Sequence, residues 1–170
     1  MSRDALGALA RSQPVQSFAL QYAFPALYVF DIAPGSAPSA ATADETVRDG
    51  PQLMTLMQKG GNVLRYLYEV GFLVKRPGNP FPQFVSVGRA PNNDLVFAVE
   101  SVSKFHGYFT NDGTEWALTD YRSTNGTELN GKKLEPAVAT PVKSGDRIRF
   151  GTHLCAEFLA PASLHAKLCG

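Results

Sequence analysis

The chain has 170 residues and a mass of 18.4 kDa, which suits one compact domain with an appendage or two very small domains. Its 44% hydrophobic and 11% aromatic residues are enough to bury a core, so a wholly disordered chain is excluded. The 16 basic residues nearly balance the 15 acidic ones, and a net charge of +1 gives no bulk attraction for nucleic acid or an anionic membrane. Any preference for anions must therefore be local.

The longest apolar stretch, residues 18–30, is interrupted by a glutamine and a proline. It is well short of the ~20 apolar residues that a membrane-spanning helix needs. The residues before it include Asp4 and are not distinctly basic, so we expect no secretory signal and a cytoplasmic protein. Cys155 and Cys169 form no CxxC pair, so we expect no zinc site. We expect two reduced thiols, with a single bridge between them as the alternative.

Residues 1–69 are predicted to form a partly helical N-terminal appendage. Residues 32–50 are rich in Ala, Pro, Ser and Thr, which predicts a linker or mobile loop. Residues 52–59 have the apolar spacing of a short amphipathic helix that ends at a Gly-Gly pair. For residues 62–68 the pattern leaves both a second short helix and an extended chain open.

From residue 70 onward, short apolar segments alternate with turn residues. The Asn-Asp-Gly sequence at 111–113 and the Asn-Gly sequence at 130–131 predict two hairpins, because these residues accept positive φ angles. The other predicted strands lie at 71–76, 84–87, 95–99, 147–150 and 154–159. This close spacing of short strands predicts an all-β sandwich over residues 70–162, followed by a C-terminal tail at 163–170.

Three loops between the predicted strands carry hydrogen-bond donors. Arg89 follows one strand, Ser103 and Lys104 lie in a second loop, and residues 123–127 (Ser-Thr-Asn-Gly-Thr) form a third. Loops at one end of a sandwich converge, so we expect these groups to face a common point. The set suits a doubly charged tetrahedral oxyanion, because Arg supplies a planar fork and Lys a point charge.

These segments resemble the forkhead-associated (FHA) domain, a phosphothreonine-binding β-sandwich. The resemblance covers roughly residues 70–160 and rests on five motifs in the family's order and spacing, at 88–95, 103–106, 118–127, 129–131 and 145–151. It implies a phosphothreonine-containing protein as partner and a Ser/Thr kinase upstream. From the charge balance, the cysteine spacing and the short apolar stretch, we expect no cofactor, no metal, no nucleic acid and no membrane.

The resemblance also assigns roles to individual residues. Arg89, Ser103 and Lys104 are expected to contact the phosphate, and Thr124 is expected to close the phosphate site. Asn125 is expected to hydrogen-bond the main chain of the bound peptide and so to fix its register. The protein is therefore predicted to be a phosphothreonine-binding adaptor in kinase signalling.

Three further residues are expected to support this site. His106 is expected to be neutral, hydrogen-bonded and a brace for the second loop. Gly88 is expected to permit the backbone bend before Arg89, and Gly126 a tight turn in the third loop. Family members often select the third residue after the phosphothreonine through the position that Ser101 occupies here. Because Ser101 is not a cation, a preference for acidic residues is not implied.

Two other functions compete with this prediction. By residue type, Ser103, His106 and Asp120 are the members of a catalytic triad, but nothing in the sequence resembles a nucleophile elbow. We therefore predict that the protein is not an enzyme. A scaffold that binds partners without phosphate, through its sheet face or its N-terminal appendage, is the alternative function.

A further hypothesis concerns Thr46 and, second to it, Thr42 as phosphorylation sites. Thr46 has acidic neighbours, and Asp49 follows three positions later. If a kinase modified this threonine, the phosphate could bind Arg89 within the same chain. The high effective concentration would then block outside partners.

Overall fold

The computed structural model describes residues 3–32 and 70–170. Within these ranges the chain is mostly β, with three helices and eleven strands. The helices are α1 (Arg3–Ser12), α2 (Val15–Gln21) and α3 (Pro161–Cys169). The strands are β1 (Ala26–Ile32), β2 (Val70–Phe72), β3 (Val85–Gly88), β4 (Leu95–Val96), β5 (Gly107–Asn111), β6 (Trp116–Asp120), β7 (Thr127–Leu129), β8 (Lys132–Lys133), β9 (Thr140–Val142), β10 (Arg147–Phe150) and β11 (Leu154–Leu159).

The described strands form two sheets that face each other. The larger sheet has the order β2-β1-β11-β10-β7-β8, and the smaller sheet has the order β4-β3-β5-β6-β9. The paired strands are antiparallel apart from β3 and β4, which are parallel. Apolar side chains from both sheets fill the space between them, among them Leu27, Phe97, Phe109, Leu118, Ile148 and Phe150. Each such fully buried side chain stabilises the fold by about 1.5–3 kcal/mol.

Both predicted hairpins are confirmed. β5 pairs with β6 across a turn in which the Asp112 carboxylate accepts hydrogen bonds from the N–H groups of Thr114 and Glu115. β7 pairs with β8 across Asn130 and Gly131, whose φ angles are 52° and 80°. Two consecutive positive φ angles match the right-handed twist of the strands, which explains the Asn-Gly sequence.

β1 lies in the region that the sequence analysis assigned to the appendage, and the structure places it inside the larger sheet. It pairs with β11 on one side and β2 on the other. Leu27 and Val29 belong to the core between the sheets, while Ala26 and Tyr28 belong to a second apolar cluster on the opposite face. A strand buried on both faces shows no polar alternation, so its sequence has no period of two. The predicted domain boundary therefore runs between two strands, β1 and β2, that hydrogen-bond to each other.

The second apolar cluster lies between the larger sheet and the three helices. Leu6 of α1, Phe18 of α2 and Leu164 of α3 are fully buried there, and α3 packs against both other helices. Most of the predicted C-terminal tail is therefore helix α3, which begins with Pro161, a residue that favours the first turn of a helix. The predicted linker, the predicted helix at 52–59 and the segment 62–68, for which the sequence left a helix and an extended chain open, lie outside the described residues, apart from Ile32 at the end of β1.

Three observations bear on other classes of protein. Across residues 3–32 and 70–170, no helix is long and apolar enough to cross a membrane. In the same ranges, no group of three or more His, Cys, Asp or Glu side chains is arranged to hold a metal ion. Cys155 and Cys169 are not joined by a disulfide.

Candidate functional site

Three loops meet at one end of the sandwich, as the sequence predicted. β3, β5 and β6 are neighbours, and Gly107 at the start of β5 lies opposite Val87 of β3 and Asp120 of β6. The loops attached to these strand ends therefore leave the smaller sheet on the same side. They span residues 89–94, 101–106 and 121–126.

Main-chain hydrogen bonds fasten the first loop to the second and fix the position of Arg89. The N–H of Arg89 donates to the carbonyl of Ser103 at 2.8 Å, and the N–H of Ala90 donates to that of Lys104 at 3.0 Å. The Arg89 Nε donates to the carbonyl oxygen of Val102 at 3.1 Å. Among the described residues, the two terminal nitrogens of Arg89 have no hydrogen-bond partner.

Gly88 is required because the second loop passes very close to it. A Cβ at this position would lie 2.3 Å from the Lys104 carbonyl oxygen and 2.8 Å from the Asn93 Nδ2. The sequence analysis expected Gly88 to permit a backbone bend. The structure shows instead that glycine is needed because the second loop leaves no room for a side chain at this position. The buried Asn93 amide donates to the carbonyls of Lys104 at 2.7 Å and Ala90 at 2.8 Å, and so joins the two loops.

The hydroxyl of Ser103 connects the second loop to the third. The N–H of Thr124 donates to the Ser103 Oγ at 3.0 Å, and the Ser103 Oγ lies 3.3 Å from the Thr124 Oγ1. Thr124 is exposed and Ser103 is half-buried, so both hydroxyls lie at the surface of the site. Lys104 follows Ser103 with an exposed side chain.

His106 is fully buried behind Ser103, and its contacts define its tautomer. Its Nδ1 accepts the N–H of Ser103 at 3.1 Å, so this nitrogen carries no proton. Its Nε2 then donates to the Thr127 Oγ1 at 3.1 Å, and the Thr127 hydroxyl donates to the Asp120 Oδ2 at 2.5 Å. Burial lowers the pKa of His106, and this effect outweighs the opposing charge of Asp120. His106 is therefore a neutral brace for the second loop.

Asp120 holds the third loop in a similar way. Its carboxylate accepts the N–H of Ser123 at 2.9 Å and the Ser123 hydroxyl at 2.6 Å. Burial by itself would raise the pKa of Asp120. The hydrogen bonds from Ser123 and Thr127 lower this pKa by more than burial raises it, so the net shift is downward. The carboxylate therefore stays ionised at neutral pH and anchors the loop that carries Thr124.

Ser103, His106 and Asp120 do not have the geometry of a catalytic triad. The His106 Nδ1 accepts the main-chain N–H of Ser103, while the Ser103 Oγ contacts Thr124. The other ring nitrogen contacts Thr127, so no base lies beside the serine hydroxyl.

Asn125 spans the gap between the third and second loops. Its Nδ2 donates to the carbonyl of Ser101 at 2.9 Å, and among the described residues no group donates to its Oδ1. Gly126 follows with a φ of +80°, which fits the expected tight turn. The Ser101 Oγ is buried and, within the described part of the chain, lacks a hydrogen-bond partner. This hydroxyl therefore faces the interior of the protein.

The structure thus brings four of the five predicted contact residues together. The fifth, Lys104, is exposed and follows Ser103 in the second loop. Those joined by hydrogen bonds across the loops are Arg89, Ser103, Thr124 and Asn125. Thr42 and Thr46 lie outside the described residues. The sequence analysis gave no role to Asn93 or Thr127, although both stand in motifs that it singled out.

Comparisons with known proteins agree with the geometry. Residues 85–151 match the family model of the FHA domain, which confirms the resemblance inferred from the sequence. The transcriptional regulatory protein EmbR of Mycobacterium tuberculosis is 28% identical over 121 residues, which cover 69% of this chain and 28% of EmbR. The FHA domain-containing protein FhaB of the same organism is 38% identical over 69 residues, which cover 41% of this chain and 43% of FhaB. This chain therefore spans less than half the length of either relative.

Solved structures of FHA domains are also similar. One is the N-terminal FHA domain of RAD53P from S. cerevisiae, determined in complex with a phosphothreonine peptide. It is 25% identical, has a TM-score of 0.44, and the match covers 50% of this chain and 73% of that chain.

Proposed function

Because residues 85–151 match the FHA family, we propose that this protein binds phosphothreonine in a partner protein and acts as an adaptor in Ser/Thr kinase signalling. The observation that carries the proposal is the fixed group of donors at one end of the sandwich. Arg89, Ser103 and Thr124 come from three loops that are hydrogen-bonded to one another before any ligand arrives.

This arrangement favours a phosphate because it is pre-organised and carries a positive charge. A phosphothreonine brings a charge of about −1.5 to −2 and three acceptor oxygens. Each charge-assisted hydrogen bond contributes about 1.5–3 kcal/mol, whereas association costs at least about 4 kcal/mol. The terminal nitrogens of Arg89 and the hydroxyls of Ser103 and Thr124 supply such bonds, and the exposed ammonium of Lys104 adds charge beside them. We therefore expect micromolar affinity, which corresponds to about −8 kcal/mol.

Asn125 supplies a separate contact that does not depend on phosphate. Its Nδ2 is already held by the Ser101 carbonyl, so its Oδ1 is oriented before a peptide binds. An amide oxygen fixed in this way accepts a main-chain N–H of the peptide without a further loss of side-chain entropy. This bond sets the register of the peptide relative to the phosphate.

The proposal is tested by fluorescence anisotropy with a degenerate phosphothreonine peptide pool and its unphosphorylated twin. Wild type is expected to bind only the phosphorylated pool, and Arg89→Ala is expected to weaken this binding by at least about tenfold, since it removes a charged donor. Arg147→Ala is the matched control, because it removes an equal charge from an exposed residue of the larger sheet. Added salt is expected to weaken the binding.

Equal binding of the two pools by a folded protein would contradict the proposal and leave the phosphate-independent scaffold as the function. If the Arg147 variant loses as much affinity as the Arg89 variant, the loss is explained by the change in net charge and not by a contact of Arg89 with the phosphate. Circular dichroism of all three proteins shows whether the comparison is made between folded molecules.

A further inference from the structure

Five aromatic side chains form a continuous strip on the outer face of the smaller sheet. We call them the aromatic strip, and they are Phe81, Phe84, Tyr108, Phe105 and Tyr121. The rings do not belong to either apolar cluster of the interior. The proposed phosphate site does not use them.

The rings form one connected group, in which Phe84 also lies 6.2 Å from Phe105 and Tyr108 lies 6.4 Å from Tyr121. From Tyr121 the successive centroid distances are 5.1 Å to Phe105, 6.4 Å to Tyr108, 4.6 Å to Phe84 and 5.3 Å to Phe81. An extended chain rises about 3.3 Å per residue, so the strip can accompany at most about six residues of a bound peptide.

Both ends of the strip are open to solvent. Phe81 is 49% exposed and Tyr121 is 59% exposed, while the rings between them are half-buried. A single exposed aromatic side chain is common on protein surfaces, but a contiguous apolar patch marks an interaction site. Aromatic side chains are also enriched where proteins bind one another, since they bury a large area at a small cost in entropy.

The strip begins at the proposed phosphate site. Phe105 directly follows Lys104 in the second loop, and Tyr121 is the first residue of the third loop. The N–H of Tyr121 donates to the carbonyl of His106 at 2.9 Å, so the two loops carry both rings as one unit. A polypeptide that leaves the phosphate site on this side therefore meets Phe105 and Tyr121 first.

The charged groups at this end of the strip are cationic. Lys104 and Arg122 are exposed beside Phe105 and Tyr121, whereas the nearby carboxylate of Asp120 is buried. A partner segment that combines apolar side chains with carboxylates suits this surface better than a basic segment does.

We propose that the aromatic strip binds apolar or aromatic side chains of the same polypeptide that carries the phosphothreonine. The inference rests on the proposed function and adds a second contact to it. The phosphate site supplies dependence on phosphorylation, and the strip selects partners by the apolar side chains within about six residues of the phosphothreonine. Affinity then comes from two linked contacts, each of which is modest alone.

The test uses two synthetic phosphothreonine peptides with equal charge, each with its unphosphorylated form as a control. The first peptide carries three Phe or Leu residues among the six positions before the phosphothreonine and three among the six positions after it. Its twin has Ser at all of those positions. Wild type is expected to bind the apolar peptide about tenfold more tightly than the twin in an anisotropy titration. The Phe81→Ser/Tyr121→Ser double variant is expected to bind both peptides as weakly as wild type binds the twin.

Phe30→Ser is the matched control, because Phe30 is also 49% exposed but lies on the larger sheet beneath Arg147. It is expected to keep the tenfold preference. Tyr121→Ser alone, at the most exposed ring of the strip, is expected to lose part of the preference and provides the test if the double variant fails to fold.

Equal affinity of wild type for the two peptides, with phosphate dependence intact, would overturn the inference and leave the proposed function standing. Binding that ignores the phosphate would overturn the proposed function itself. If the peptides bind equally and sedimentation shows self-association that the double variant loses, the strip is an interface between copies of this chain, which also overturns the inference.

Discussion

Arg89 and His106 are two basic side chains in adjacent loops, and they differ in burial and therefore in their hydrogen bonds. Arg89 is half-buried and uses its Nε to hold a carbonyl, and among the described residues its terminal nitrogens have no partner. His106 is fully buried and uses both ring nitrogens inside the protein. The first side chain keeps its charge at the site, whereas the second gives up its charge and fixes the loop that carries Ser103.

The neutral state of His106 makes stability depend on pH. The pKa of His106 in the folded protein is lowered below the ordinary value of about 6.5. Below that pH, His106 therefore binds a proton more readily in the unfolded chain than in the folded one. Stability is therefore full above about pH 6.5 and falls as the pH decreases, by at most about 1.4 kcal/mol per pH unit for one proton. The lowered pKa of Asp120 acts in the same direction at lower pH.

Urea unfolding between pH 7.5 and pH 5 measures this dependence. Wild type is expected to lose stability across the interval, and His106→Gln is expected to be less stable at pH 7.5 but to show a smaller slope. His153→Gln is the control, because it removes a histidine that is only half-buried, and its slope is compared with that of the His106 variant. An unchanged slope in the His106 variant would assign the pH dependence to other groups.

At the level of elements, the site depends on how closely the end of β3 approaches the second loop. Gly88 and the Lys104 carbonyl are in such close contact that a single methyl group would overlap the main chain. The Asn93 amide occupies the remaining space and satisfies the same carbonyl. The relative position of Arg89 and Ser103 is therefore set by packing between elements and not by either loop alone.

Gly88→Ala is expected to push the two loops apart. Overpacking of this kind costs about 1–3 kcal/mol of unfolding free energy, and we expect phosphopeptide affinity to fall as well because Arg89 moves away from Ser103. Gly113→Ala is the comparison: its φ of +99° makes the substitution unfavourable, but nothing lies within 4 Å of the added methyl group. This control sits at the opposite end of β5 and β6, so it is expected to lose stability but keep its affinity. Unchanged affinity in the Gly88 variant would show that the loops do not need this contact.

At the level of the whole molecule, the larger sheet is buried on both faces near β1 and β11. The smaller sheet covers one face, and the three helices cover part of the other. The helices therefore share β1 with the sandwich that forms the site, and we expect them to unfold together with it.

Leu164→Ala tests this cooperativity, since Leu164 is fully buried in the cluster beneath the helices. Removing a buried leucine side chain costs about 2–5 kcal/mol. Trp116, the one tryptophan of the sequence, packs against the core between the sheets and reports on the sandwich. We expect its fluorescence and the helical circular dichroism signal to show the same lowered midpoint in this variant. A tryptophan transition that stays at the wild-type midpoint would mean that the helices unfold separately.

Much of the site could be predicted from local sequence because it depends on local chemistry. Asn130-Gly131 specifies its hairpin through φ angles that few other residues accept. The loops that carry Arg89, Ser103 and Asn125 follow strands with clear turn signals, and their order along the chain was enough to indicate the family. These features involve residues that are close in sequence, where composition and spacing carry the information.

Other features depend on contacts between distant parts of the chain and could not be predicted in this way. Residues 26–29 of β1 form an apolar run because two different layers bury them, and nothing in the run itself distinguishes a strand from a helix. Gly88 needs space because Lys104 passes beside it, and His106 is neutral because it is buried and its Nδ1 accepts the N–H of Ser103. The aromatic strip is formed by rings from positions 81 to 121 that only the fold brings together. Local sequence thus specifies the loops and turns, whereas long-range packing sets the surroundings of each side chain, and with them its charge, its exposure and its available atoms.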